Sequence, residues 1–212
     1  MADTKHSLQT YISDMLALEE HVRVPFEAQL KDEDLSSYPT AQTLLRRLSD
    51  LSNTHIDALK NLLEQYGGHE AHPVKGAVSA TAGFFASAID KVRKTAVAKG
   101  LRDDYTALSL CTVSYSMLLS TANAYGMPDV SALAQQHMRD YAQLIMEIGT
   151  AIPEIVVYDL QQTGLDADPS SVSESVSQIE STWRSSASSE RGQITTGSIG
   201  SGATPSQTSR PV

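Results

Sequence analysis

Cysteine is almost missing from this chain: Cys111 is the only one in 212 residues, so no internal disulfide can brace the fold, and a reducing, cytoplasmic setting is expected. Long apolar runs are missing as well. No segment reaches the roughly 18 consecutive apolar residues of a membrane span, and the first residues, MADTKHSLQ, carry no apolar stretch behind their charges, so neither membrane insertion nor a secretory leader is expected. Basic residues are scarce, 16 against 25 acidic, and the net charge of -9 argues against a nucleic-acid partner, which needs a concentrated positive surface. The one basic cluster, Lys91, Arg93, Lys94, Lys99 and Arg102, reads as the solvated face of a helix and the loop after it. No Gly-x-Ser-x-Gly elbow, phosphate loop or dinucleotide fingerprint occurs, and Cys111 falls on an apolar helical face where a thiol is inert packing, so no catalytic residue is assigned.

What the chain has in abundance is apolar residues at helical spacing. Leu8, Tyr11, Ile12, Met15, Val22, Phe26 and Leu30 recur at steps of three and four, predicting a first helix over about 4–30 with Thr4 or Ser7 as its cap and a kink at Pro25. After the turn KDEDLSSYPT, Pro39 opens a second helix striped by Leu44, Leu45, Leu48, Leu51, Leu59, Leu62 and Tyr66 and ended by Gly67-Gly68. A connector of about thirty residues follows, with Pro73, many small residues and the pair Phe84-Phe85, and it predicts a helix of its own. A third helix is predicted from an Asp103 cap to Gly126, with Leu108, Cys111 or Thr112, Tyr115, Leu118, Leu119 and Ala122 facing inward. A fourth starts at Pro128-Asp129 with the stripe Leu133, His137, Tyr141, Leu144, Ile145 and Ile148, and Pro153 is expected to kink or interrupt it.

The fold class is therefore all-α, a four-helix bundle over residues 1–160, whose long connector between the second and third helices permits the crossover of ferritin-like bundles. Residues 161–212 turn to Ser, Gly, Thr, Gln and Pro and read as a disordered tail. Within that tail Val172, Val176, Ile179 and Trp183 sit at helical spacing, so a short helix at 172–183 could dock on a protein partner. The GSIGSG stretch beyond it offers a third role, as the docking peptide of a cargo recruited to a protein shell.

Inside the predicted core lie polar residues that are costly to bury unless paired, protonated or bound to metal. Glu19 falls between Met15 and Val22, His55 between Leu51 and Leu59, and His137 on the stripe of the fourth helix with Asp140 at its edge. Placed by the midpoints of their helices, Glu19, His55, His137, Asp140 and Tyr115 form one layer. Three readings compete: a hydrogen-bonded network in which Glu19 accepts from Tyr115 or a histidine, with no cofactor; a single iron, manganese or zinc ion on Glu19, His55 and His137, with Asp140 beside them; and a di-iron centre. The last needs a Glu-x-x-His on each of two helices, whereas Ser52 and Ala134 stand three residues before His55 and His137. His69, Glu70 and His72 in the connector form a further small metal-type cluster.

Over Leu8 to Ile152 the chain resembles the ferritin-like YciE/YciF family, through SDMLALEE with a proline six residues after Glu19, LSDLSNTHIDAL, VKGAVSATAGFFASAIDKVR and CTVSYSMLLSTANAYG, taken in order and spacing. The resemblance implies a small, homodimeric, stress-associated protein with acidic and histidine ligands between its helices. Glu19 matches the family's glutamate of the first helix, and Asp140 falls near an acidic position of the fourth. Where the family carries Glu and His in the middle of the third helix, this chain has Ser114 and Tyr115. The expectation is a degenerate site: a non-catalytic structural or binding protein, with a metal-dependent oxidoreductase as the alternative.

Overall fold

The computed structural model describes residues 2–68 and 96–190, and among them every regular element is a helix: α1 (Ala2–Gln29), a short 3-10 turn (Glu33–Ser37), α2 (Pro39–Gln65), α3 (Ala96–Tyr125), α4 (Pro128–Gln162) and α5 (Ser171–Glu190). No described helix is long and apolar enough to cross a membrane. The boundaries follow local chemistry. Asp32 accepts from the Asp34 amide to start the 3-10 turn, and Pro39 occupies the first turn of α2, where a missing N–H costs nothing. Gly67 (φ 68°) and Gly126 (φ 67°) end α2 and α3 in the left-handed region. The residue after each glycine then bonds back across the last turn, Gly68 N–H to Leu63 O at 2.9 Å and Met127 N–H to Ala122 O at 2.9 Å.

Four of these helices form the bundle. α1 packs on α2, α3 on α4, α1 on α3 and α2 on α4, so α2 and α3 lie across the diagonal. Direction is set by contacts at the ends: Gln9 near the start of α1 reaches Tyr66 at the end of α2, Gln29 at the end of α1 reaches Asp104 near the start of α3, and Tyr38 before α2 reaches Asp159 near the end of α4. Neighbours are antiparallel throughout. The chain leaves α2 at one end of the bundle and begins α3 at the other.

The apolar stripes close on one core that includes Leu8, Ile12, Phe26, Leu45, Leu48, Leu59, Leu108, Leu118 and Ile148. Two details differ from the sequence-based expectation. Asp103 does not cap α3, which is already helical at Ala96; the helix extends upstream because the buried Leu101, on the same face as Leu108, and the partly buried Val97 carry its apolar stripe above the expected start. Pro153 does not interrupt α4 either: Ala151 and Ile155 on either side are buried, and their packing holds the helix through to Gln162 despite the lost backbone donor. Pro25 lies inside α1, as expected, between the buried Val22 and Phe26. The helix expected at 172–183 falls within α5, which packs on α4 with Val172, Val176 and Ile179 half-buried and Trp183 exposed. The connector helix, the His69, Glu70 and His72 group, Lys91, Arg93, Lys94 and the tail from 191 onward lie outside the described residues.

Gly126 provides a clean test of the α3–α4 corner, since a Cβ added there would meet nothing within 4 Å. Gly126→Ala should therefore cost about 1 kcal/mol from backbone strain alone, measured by urea unfolding.

Candidate functional site

The polar layer is built around Glu19, which α1 places one turn below Met15 and one above Val22, so that its side chain follows the stripe into the core and is fully buried. Its two oxygens are met by side chains from the other three helices, three of them hydroxyl donors. On Oε1 converge the Tyr115 hydroxyl of α3 at 2.6 Å and His55 Nδ1 of α2 at 3.2 Å. On Oε2 converge the Tyr141 hydroxyl of α4 and Ser52 Oγ of α2 at 3.2 Å. A carboxylate has about four lone-pair sites, and here four side chains address them.

The network continues beyond the carboxylate. His55 Nε2 faces Asp140 Oδ2 at 3.2 Å, and Asp140 is the member that reaches solvent, its side chain 27% exposed. It lines a shallow cleft of about 310 Å³ between α2 and α4, with Arg47, Asp50, Thr54 and Gln143. His137 Nδ1 lies 2.8 Å from the Tyr115 hydroxyl. Because the single phenolic proton of Tyr115 is committed to Glu19, the contact requires His137 Nδ1 to be the donor, which fixes its tautomer.

Burial dominates the acid–base behaviour of the layer. His137 is pushed down to about 3, by burial first and then by the neighbouring His55. Both phenols are raised, again by burial first and then by the Glu19 charge, so Tyr115 and Tyr141 remain donors. Cys111, one turn before Tyr115, is raised for the same two reasons, which agrees with an inert thiol.

All five residues singled out in the sequence thus meet at one depth. Two others belong with them. Ser52 counts in the sequence only as a missing glutamate, and Tyr141 only as one apolar position of its stripe, yet both donate to Glu19 Oε2. For Ser52 the available signal is its place three residues before His55, on the same helical face; for Tyr141 it is the step of four from His137.

Two tests decide whether a metal fits. Glu19, His55 and His137 each offer a ligand atom, and these atoms lie within 4.8 Å of one another, which is close enough to suggest an ion. The ring geometry opposes it. His55 and His137 stack with centroids 3.6 Å apart and planes 8° from parallel. An imidazole lone pair lies in the ring plane, and two nearly parallel planes have no common point at the roughly 2 Å at which a metal sits from nitrogen. A dinuclear centre fits worse, since Ser52, Tyr115 and the buried Ala134 occupy the helix positions from which carboxylates would come. The residues present suit a hydrogen-bonded network, not a metal cage.

Tyr141→Phe keeps the ring and removes one donor from a buried charge; it should destabilise the bundle by about 1.5–3 kcal/mol in chemical denaturation. His137 supplies a pH dependence. Its folded value of about 3 lies below the ordinary 6.5, so the unfolded chain binds the proton more readily and stability falls as pH drops from about 6.5 toward 3. In His137→Phe that part of the acid sensitivity should disappear from melting temperatures measured across the same range.

No family model matches the chain, and no curated protein matches it. Among solved structures, a crystal structure of a protein from Xanthomonas campestris pv. campestris is similar over 76% of this chain and 99% of its own, with 20% identity and a TM-score of 0.62. At that identity the likeness is one of fold.

Proposed function

We propose that this chain is a ferritin-like bundle of the YciE/YciF kind whose metal centre has been replaced by hydrogen bonds, and that it acts as a non-catalytic structural or binding protein. The observation that carries the reading is the complete occupation of Glu19 by Tyr115, Tyr141, Ser52 and His55. A ligand set poised for an ion leaves its oxygens free or loosely held; here Oε2 takes two hydroxyls, Oε1 takes the Tyr115 hydroxyl with His55 Nδ1 beside it, and the two histidines face each other instead of a common centre. The family likeness adds a stress-associated role, a homodimer and a cytoplasmic setting to the proposal. The exposed Trp183 at the far end of the α5 stripe supports a protein partner for the C-terminal region.

A second reading is favoured by one specific observation, the mutual approach of donor atoms from Glu19, His55 and His137. On that reading one iron, manganese or zinc ion binds after rotation of the imidazoles, with Asp140 alongside, in a metal-dependent oxidoreductase. Recruitment to a shell through GSIGSG rests on residues outside those described.

Elemental analysis of the protein purified without chelator separates the first two readings. Far less than one equivalent of iron, manganese or zinc per chain is the expected result, unchanged in Glu19→Ala. One or two equivalents that vanish in Glu19→Ala would sink the network reading.

A further inference from the structure

A second buried carboxylate lies well away from the layer. Asp104 is 2% exposed on α3, and only one of its oxygens has a partner: Oδ1 accepts from Gln29 Nε2 of α1 at 2.8 Å, while Oδ2 is buried with none. An ionised carboxylate buried with half its acceptors empty is costly. The amide opposite is also half-used. Among the described residues no donor reaches Gln29 Oε1, which is turned toward Gly100, one turn before Asp104. A Cβ built on Gly100 would come within 2.3 Å of that oxygen. The absence of a side chain at 100 is what lets the Gln29 amide lie flat against α3 and face Asp104.

Two acceptors with no donor between them, Asp104 Oδ2 and Gln29 Oε1, are reconciled by one proton. On Oδ2 it turns the pair into a cyclic acid–amide dimer, with Nε2–H donating to Oδ1 and Oδ2–H donating to Oε1 after a small rotation of the amide. We propose that Asp104 and Gln29 form a proton-dependent clamp between the end of α1 and the start of α3, closed as an acid–amide pair while Asp104 holds its proton and weakened when it ionises.

The surroundings favour the protonated form. Burial pushes the Asp104 carboxyl up to about 7, the Asp103 charge adds to this, and the Gln29 bond opposes it. Asp103 itself is held on the surface by Arg102 at 2.7 Å. No other charged group acts on Asp104 among the described residues. Three helical turns along from the contact of Tyr115 with His137, α4 comes level at the buried Ile148, flanked by the buried Leu144 and Ala151, so that side is apolar. From α1 the facing group is the neutral Gln29. The clamp pins the first turns of α3, the helix on which Tyr115 sits, to α1, the helix on which Glu19 sits.

The direction of the pH effect follows. Between the ordinary value of 3.8 and the folded value of about 7 the folded chain binds the proton more tightly than the unfolded one, so stability declines as pH rises through this window and levels off above it. The test is a carbon-detected NMR titration of the full chain, paired with thermal unfolding. The Asp104 carboxyl should titrate with a midpoint near 7, and the Gln29 side-chain amide should shift with the same midpoint; Asp104→Asn should remove the extra loss of melting temperature between pH 5 and 8. Gly100→Ala, whose methyl would displace the Gln29 amide from α3, should break the shared midpoint while both partner residues stay in the sequence. An Asp104 midpoint at or below the ordinary 3.8, or a Gln29 amide that ignores the titration in the unaltered chain, overturns the clamp.

Discussion

A fully buried carboxylate is the constraint from which the rest of this bundle follows. Glu19 cannot lie in an apolar core unless its charge is answered, and the answer draws one or more side chains from each of the other three helices. Those contacts work only at one axial position of α2, α3 and α4 relative to α1. Slippage by a turn would leave the phenols and the carboxylate facing leucines. Hydrophobic burial supplies the drive to assemble but is nearly indifferent to such slippage, whereas the polar layer is sensitive to it. The layer therefore selects the register, at a cost in desolvation that the apolar stripes on either side offset.

The same layer shows how a metal-type constellation and a hydrogen-bond network differ while using similar residues. Glutamate and two histidines within reach of one another would pass a search by residue type. What separates the two outcomes is where lone pairs and protons point. Tyr115 spends its proton on Glu19, which makes His137 donate from Nδ1, and the stacked rings turn their edges away from a shared centre. A tyrosine at this point of α3 presents a donor to Glu19 where a carboxylate would present an acceptor, and that one proton fixes the roles of its neighbours.

Several polar contacts outside the layer lie toward the end of the bundle where α1 finishes and α3 begins. Arg47 pairs with Glu147 across the groove between α2 and α4, Tyr38 donates to the buried Asp159, and Gln29 meets Asp104. Asp104 and Asp159 each keep one buried oxygen without a partner. In the middle of the bundle both oxygens of Glu19 have partners, whereas this end carries two buried carboxylate oxygens with none among the described residues.

Much of this was readable in the sequence. The stripes of α1, α2, α3 and α4, the opening prolines, the terminating glycines and the inward placement of Glu19, His55, Tyr115 and His137 all depend on spacing along one helix, which a linear pattern records directly. The length of the connector between the second and third helices permits the arrangement found, in which α2 ends and α3 begins at opposite ends of the bundle. What only the tertiary structure decided was whose atoms meet. That Ser52 and Tyr141 complete the shell of Glu19, that two imidazoles stack instead of converging, that Asp104, next to the residue expected to cap the third helix, turns inward beside Gln29: each depends on rotamer and on the neighbouring helix. Periodicity assigns a residue to a face. Hydrogen bonding is settled by ångströms and angles between faces, and no pattern within a single helix contains that information.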